Sequence, residues 1–168
     1  AITPYKKIDL LVDVFNKNGK ELIIIGDGSE KEALEKNSQP NIKFYGNLEW
    51  EGIEEIFKDT KALLFPGEED FGMIPLEVMA YGIPVLAYGK GGALETVVEN
   101  KEIINQSSGM FFENQSIESI ENCIQNFEKK EHLFDSEWIK NHSRKFGEDV
   151  FLEKFKNKLA ELLPQYKL

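Results

Sequence analysis

Apolar residues in this chain fall into short continuous runs that alternate with helically spaced patterns. Ile8, Leu11, Val12 and Phe15 recur at helical spacing and predict a helix over Lys6–Asn18, ended by Gly19. Leu22-Ile23-Ile24-Ile25 stops at Gly26 and has the pattern of a strand buried on both faces. Ser29, with Glu32 three residues on, reads as a capping box opening a second helix. Ile42–Gly46 predicts a second strand, Glu51–Lys58 a short helix, and Ala62–Phe65 a third buried strand stopped by Pro66 and Gly67. Gly72–Tyr81 predicts a helix that Gly82 ends, and Pro84–Tyr88 a fourth strand. The turn Gly89-Lys90-Gly91-Gly92 leads into a short helix through Glu99, and Gly109–Phe112 predicts a last short strand. From Ser116 onward the pattern is helical, interrupted near His132 and Gly147.

Short apolar strands alternating with helices specify an α/β fold, a Rossmann-like three-layer α/β/α arrangement with a mainly parallel sheet covered on both faces. We expect one domain over residues 1–168, with a core of about residues 4–127 and C-terminal helices over 132–164. In such sheets ligands bind at the carboxyl ends of the strands. The segments to inspect are therefore the glycine-containing loops after Ile25, Phe65 and Tyr88.

Composition narrows the function. With 20 Lys plus Arg against 30 Asp plus Glu, the net charge is −10, and no basic stripe exists to release counterions from a nucleic acid. The single cysteine, Cys123, excludes an internal disulfide and a cysteine-based zinc site. His132 and His142 form no metal-binding pattern, so no metal is expected, and both read as surface residues. Cys123 falls in the helical stripe of Ile117, Ile120, Ile124 and Phe127 and reads as a packed thiol. Phe146, Phe151 and Phe155 read as core. No apolar run is long enough to span a bilayer, and Ala1–Lys7 lacks the pattern of a signal peptide, which points to a cytoplasmic protein. Lys154, Lys156, Lys158 and Lys167 make the tail locally basic, the pattern of a solvated helix face.

The segment Pro66–Glu77 is the richest in chemistry. A buried strand runs into the acidic residues Glu68, Glu69 and Asp70, and a helix then opens near Gly72. The free N–H groups and partial positive charge of a helix start favour phosphate, and glycine admits the ligand to the backbone. Pro75 lies in the first turn, where a missing N–H costs nothing. Carboxylates this close to a phosphate make physical sense if they accept hydrogen bonds from hydroxyls. A diphosphate between two sugars supplies both: a ribose on one side and a transferable sugar on the other.

Glu69 and Glu77 are separated by seven residues, and the first is followed by Asp70-Phe71-Gly72. Phe65-Pro66…Glu69-Asp70-Phe71-Gly72…Pro75-Leu76-Glu77-Val78-Met79-Ala80-Tyr81-Gly82-Ile83-Pro84-Val85 resembles the E-x7-E signature of glycosyltransferase family 4. Lys6, in Pro4-Tyr5-Lys6-Lys7-Ile8-Asp9-Leu10-Leu11, resembles the family's diphosphate lysine. Gly26-Asp27-Gly28 resembles its glycine turn, and Gly91-Gly92-Ala93-Leu94-Glu95 its later Gly-Gly-x-x-Glu turn. The likeness runs from about Pro4 to Phe127, and Gly89–Thr96 is closest to mannosyltransferases of surface-polysaccharide synthesis.

The resemblance implies the donor-binding half of a retaining enzyme of the GT-B fold, taking a nucleotide sugar, GDP-mannose first, without metal or other cofactor. It implies Lys6 on the diphosphate, the Gly72 and Met73 amides on phosphate, Glu69 on the transferred sugar and Glu77 on the ribose. Gly26, Gly28, Asp70, Phe71, Gly91 and Gly92 complete the implied donor site, with the base near Gly46–Leu48. It implies as partner an acceptor-binding N-terminal domain or subunit, and peripheral membrane association of the full enzyme. The family's arginine, six residues before the lysine, falls one place ahead of Ala1, which leads us to expect weak donor binding and little transfer by this chain alone. Two other classes fit less of the pattern. One is a non-catalytic nucleotide-binding or interaction module, or a subunit of a split enzyme; the other is an epimerase or phosphorylase on a related architecture.

Overall fold

The computed structural model describes residues 1–163; Lys167 and the expected helix end at residue 164 lie outside the described residues. A single 3-10 turn over Pro4–Lys6 precedes α1 (Ile8–Asn18). Lys7, between them, takes a left-handed backbone at φ 57°, so the helix opens two residues later than its apolar spacing predicts. Gly19, at φ 71°, ends α1 by donating its N–H to the Phe15 carbonyl.

The elements that follow are β1 (Leu22–Ile25), α2 (Lys31–Asn37), β2 (Ile42–Tyr45), α3 (Trp50–Phe57) and β3 (Leu63–Phe65). Next come α4 (Met73–Ala80), β4 (Val85–Tyr88), α5 (Ala93–Thr96) and β5 (Gly109–Phe112). The helices α6 (Ile117–Lys130), α7 (Ser136–Ser143) and α8 (Glu148–Leu162) complete the described chain. Every strand pairing is parallel: β1 with β2, and β3-β4-β5 in that order. In register, Leu22 faces Ile42, Leu63 faces Val85, and Val85 faces Gly109.

Strand β4 shows how the layers form, because all four of its residues are buried. Leu86 and Tyr88 enter a cluster with Leu11, Val12 and Phe15 of α1 and Ile120, Cys123, Ile124 and Phe127 of α6. Val85 and Ala87 point the other way, into a cluster with Met79 of α4 and Ile139 of α7. Period-two alternation thus places helices on both sides of the strands, the expected three layers. The first cluster also takes Leu22, Ile24 and Ile42, so both groups of strands share one helical cover.

Several local expectations change. Ile23 and Ile25 are only half-buried, since the buried cluster takes one face of β1. Ser29 does not cap α2: Glu30 is the N-cap, without a side-chain bond, and the backbone does the work. Ile2 donates to the Asp27 carbonyl at 2.8 Å, and Glu30 donates to the Ile2 carbonyl at 3.3 Å. Helix α5 stops at Thr96 rather than reaching Glu99, because Val97 turns extended and the next backbone is bound by serines. Val98 N–H donates to Ser108 Oγ at 2.9 Å, and Asn100 N–H to Ser107 Oγ at 2.8 Å.

His132 is exposed as expected, but His142 is buried. Its ring stacks on Trp138 with centroids 5.3 Å apart, and Nε2 lies 2.8 Å from the Thr96 carbonyl. A carbonyl only accepts, so Nε2 donates, and Nδ1 is buried without a hydrogen-bond partner among the described residues. Phe146 is half-buried, whereas Phe151 and Phe155 are 61% and 50% exposed and stack on each other. They are not core, because α8 buries none of its residues. No helix among the described residues is long and apolar enough to cross a membrane.

Candidate functional site

Parallel pairing puts the loops after β1 and β2 at one end of their two-stranded sheet, and the loops after β3 and β4 at one end of the three-stranded sheet. Gly26 N–H reaches the Tyr45 and Gly46 carbonyls at 3.0 and 3.1 Å, tying the first two loops together. Gly28 packs against the backbone of Ile2, where a Cβ would overlap the Ile2 carbonyl. The segment before α1 therefore passes directly over the end of β1.

That segment delivers Lys6. Its ammonium forms an ion pair with Glu69, from the loop after β3, and both side chains are largely buried, at 16% and 20% exposure. Two glycines make the approach possible. A Cβ on Gly67 would stand 3.1 Å from both Lys6 Cα and the Tyr5 carbonyl. Gly92 N–H donates to the Glu69 carbonyl at 2.7 Å, and a Cβ there would overlap Asp70 and Phe71. Gly91 is at φ 63°, a conformation glycine adopts without strain. Gly91 and Gly92 thus hold the acidic loop in place as well as lying beside it.

Gly72, at φ 77°, is the N-cap of α4 and lets the chain turn over Phe65, whose ring lies 3.3 Å from where a Cβ would be. The first-turn amides of α4 have no intrahelical acceptors, Pro75 has no N–H to leave orphaned, and no acidic residue occupies that first turn. The start of α4 therefore presents free N–H groups and a partial positive charge, the backbone chemistry that favours an anion. Glu77, one turn in, is exposed and has no hydrogen-bond or ion-pair partner among the described residues. Phe71, Met73 and Ile74, at 44%, 66% and 44% exposure, form an apolar rim around this helix start.

The structure thus brings together Lys6, Glu69, Asp70, Phe71, Gly72, Gly91 and Gly92; Gly28 lies against Ile2 earlier in the Lys6 segment, and Gly26 bonds the end of β2 instead. Sequence reasoning missed Gly67, which the Pro-Gly step after β3 signals, and Tyr5, whose ring lies 5.1 Å from Lys6 Nζ. Among the described residues, no group of three or more His, Cys, Asp or Glu is placed to hold a metal ion.

Known proteins share both the sequence and the fold. The family model described as glycosyl transferases group 1 matches residues 1–146. The alpha-1,3/1,6-mannosyltransferase ALG2 of Kluyveromyces lactis is 32% identical over 116 residues, 66% of this chain and 23% of that protein. The sulfoquinovosyl transferase SQD2 of Arabidopsis thaliana is 34% identical over 101 residues, 58% of this chain and 20% of that protein. A glycosyltransferase structure from Rickettsia africae superposes with a TM-score of 0.79 at 20% identity, over 96% of this chain and 45% of that one. The Anabaena protein Alr3699/HepE, solved with UDP and glucose, superposes with a TM-score of 0.74 at 20% identity, over 98% of this chain and 46% of that one. The chain spans less than a quarter of the length of these two curated relatives and under half of these two solved chains. Its fold is one half of the GT-B arrangement.

Proposed function

The chain belongs to the group 1 glycosyl transferases, and from that membership we propose that it is the donor-binding half of a retaining family 4 hexosyltransferase. Its donor is a nucleotide diphosphate sugar, GDP-mannose first, and the acceptor is a glycan or lipid-linked alcohol. The single observation that carries the reading is the meeting of Lys6 with Glu69, on the loop that leads into the α4 N-terminus. A cation, a hydroxyl-accepting carboxylate and free helix amides are what a sugar diphosphate needs, and here Lys6 pairs with Glu69 on the loop that continues into the start of α4.

In this reading Lys6 and the Gly72 and Met73 amides hold the diphosphate and meet the charge that grows on it as the sugar departs. Glu69 accepts hydroxyls of the transferred sugar, and Asp70 and Phe71 shape that pocket beside Gly91 and Gly92. Glu77 accepts the ribose hydroxyls, and the base lies by Gly46, past the Gly26 and Gly28 turn. The acceptor attacks from the face the diphosphate leaves, which retains configuration. The chain acts as one nucleotide-sugar-binding domain, and the other half of the enzyme supplies the acceptor site and covers the exposed rings of α8. Support for mannose comes from the ALG2 likeness and the Gly89–Thr96 wording.

Calorimetric titration of the chain with GDP-mannose and UDP-glucose tests the reading. GDP-mannose is expected to bind more tightly, and Glu77→Ala to lose about tenfold, or about 1.4 kcal/mol. Failure of every nucleotide sugar to bind, or a Glu77→Ala chain that binds as well as the parent, overturns it.

A further inference from the structure

We propose that Lys6 and Glu69 form an exchange pair that discriminates the intact nucleotide sugar from the nucleoside diphosphate left after transfer. The inference rests on the donor-site reading above and names how that site releases its product. Among the described residues, Lys6 is the one hydrogen-bond partner of the Glu69 carboxylate. The Glu69 backbone cannot withdraw, because its carbonyl accepts the Gly92 N–H at 2.7 Å and a Cβ on Gly91 would overlap it. Lys6 is held equally closely, its backbone lying against Gly67. Both main chains are therefore held close together, the two side chains remain free to exchange partners, and the ligand determines which partner the carboxylate has.

A diphosphate at the α4 N-terminus draws Lys6 from Glu69 and brings negative charge up to the carboxylate. A largely buried carboxylate without a partner is unfavourable, and a neighbouring like charge makes it more so. When the sugar is attached, its hydroxyls donate to Glu69 and replace the ammonium. Once the sugar has left for the acceptor, Glu69 has no donor except Lys6. It recaptures the ammonium, and the diphosphate loses its cation and leaves. Two groups thus serve two states of the ligand, with no lid or domain motion.

The test is calorimetric titration of GDP, GDP-mannose, UDP and UDP-glucose into the parent chain, Glu69→Gln and Lys6→Gln. Glu69→Gln removes the competing charge while leaving an amide that hydroxyls can bond. We expect it to tighten GDP about tenfold, and to leave GDP-mannose unchanged or weaker, so the preference for the sugar-bearing ligand collapses. Lys6→Gln is expected to weaken both. Glu69→Ala carries the same expectation for GDP if Glu69→Gln folds poorly. GDP affinity unchanged or reduced in the Glu69 variants, with the parent still binding GDP-mannose, overturns the exchange and leaves the donor site standing. Absence of binding by all ligands to all variants overturns both.

Discussion

Lys6 and Glu69, 63 residues apart in the chain, form an ion pair at the carboxyl end of β3. Lys6 ends the 3-10 turn before α1 and Glu69 lies in the loop after β3, and glycines remove side chains on either side of their contact. Gly67 lets the Lys6 backbone close in, and Gly92 clasps the Glu69 loop through its amide. The acidic loop is thus fixed before any ligand arrives.

Gly92→Ala tests that clasp. The backbone there is ordinary helix, so the whole effect is steric: the new methyl overlaps Asp70 and Phe71. Urea denaturation is expected to show a loss of about 1–3 kcal/mol. Gly89→Ala, where the nearest atom is 3.5 Å away, is the control, expected within about 0.5 kcal/mol of the parent.

His142 braces the same region from behind. Its bond to the Thr96 carbonyl joins α7 to α5, whose N-terminus carries Gly92. His142→Leu leaves that buried carbonyl without its donor and is expected to destabilise the chain by about 1–3 kcal/mol in urea denaturation. An unchanged transition midpoint contradicts the brace.

Cys123, packed between α6 and the sheet, has its thiol pushed up to about 12, first by burial and then by the Glu99 charge. The native chain is therefore expected to react with Ellman's reagent at pH 8 only as fast as it unfolds. The sign for stability follows. The unfolded thiol ionises near 9 and the folded one near 12, so stability falls as pH rises from 9 towards 12. Rapid labelling of the folded chain contradicts this packing.

Glu77 separates binding from folding. It is exposed and makes no bond to the described protein, so Glu77→Ala is expected to change unfolding free energy by less than about 0.5 kcal/mol while weakening donor binding. A large stability loss in urea assigns Glu77 to the scaffold instead.

Much of this architecture is legible in the chain. Leu22–Ile25, Leu63–Phe65 and Val85–Tyr88 are apolar runs halted by Gly or Pro, and parallel pairing within each sheet then sets the loops of paired strands at a common end. The E-x7-E spacing and Lys6 can be read as motifs, but their ion pair cannot, since it depends on how the segment before α1 crosses β1 and β3. Tertiary docking also explains the misreadings. His142 is polar and flanked by polar residues, yet α7 packs it under Thr96. Ser29 has cap spacing, yet the Ile2 backbone occupies the helix entry. Phe151 and Phe155 are apolar at helical spacing, but periodicity does not say that α8 projects from the rest of the chain.

The most direct measurement is a thermal-shift titration with GDP, GDP-mannose, UDP, UDP-glucose and ADP, run on the parent chain and on Glu77→Ala. A ligand at about 100 times its dissociation constant adds roughly 2.7 kcal/mol. For a domain of this size that is a rise of roughly 5–10 °C. The account predicts a rise with the guanosine ligands, largest for GDP-mannose, that Glu77→Ala reduces. No shift with any nucleotide, or a shift that Glu77→Ala leaves intact, contradicts a donor site at the α4 N-terminus.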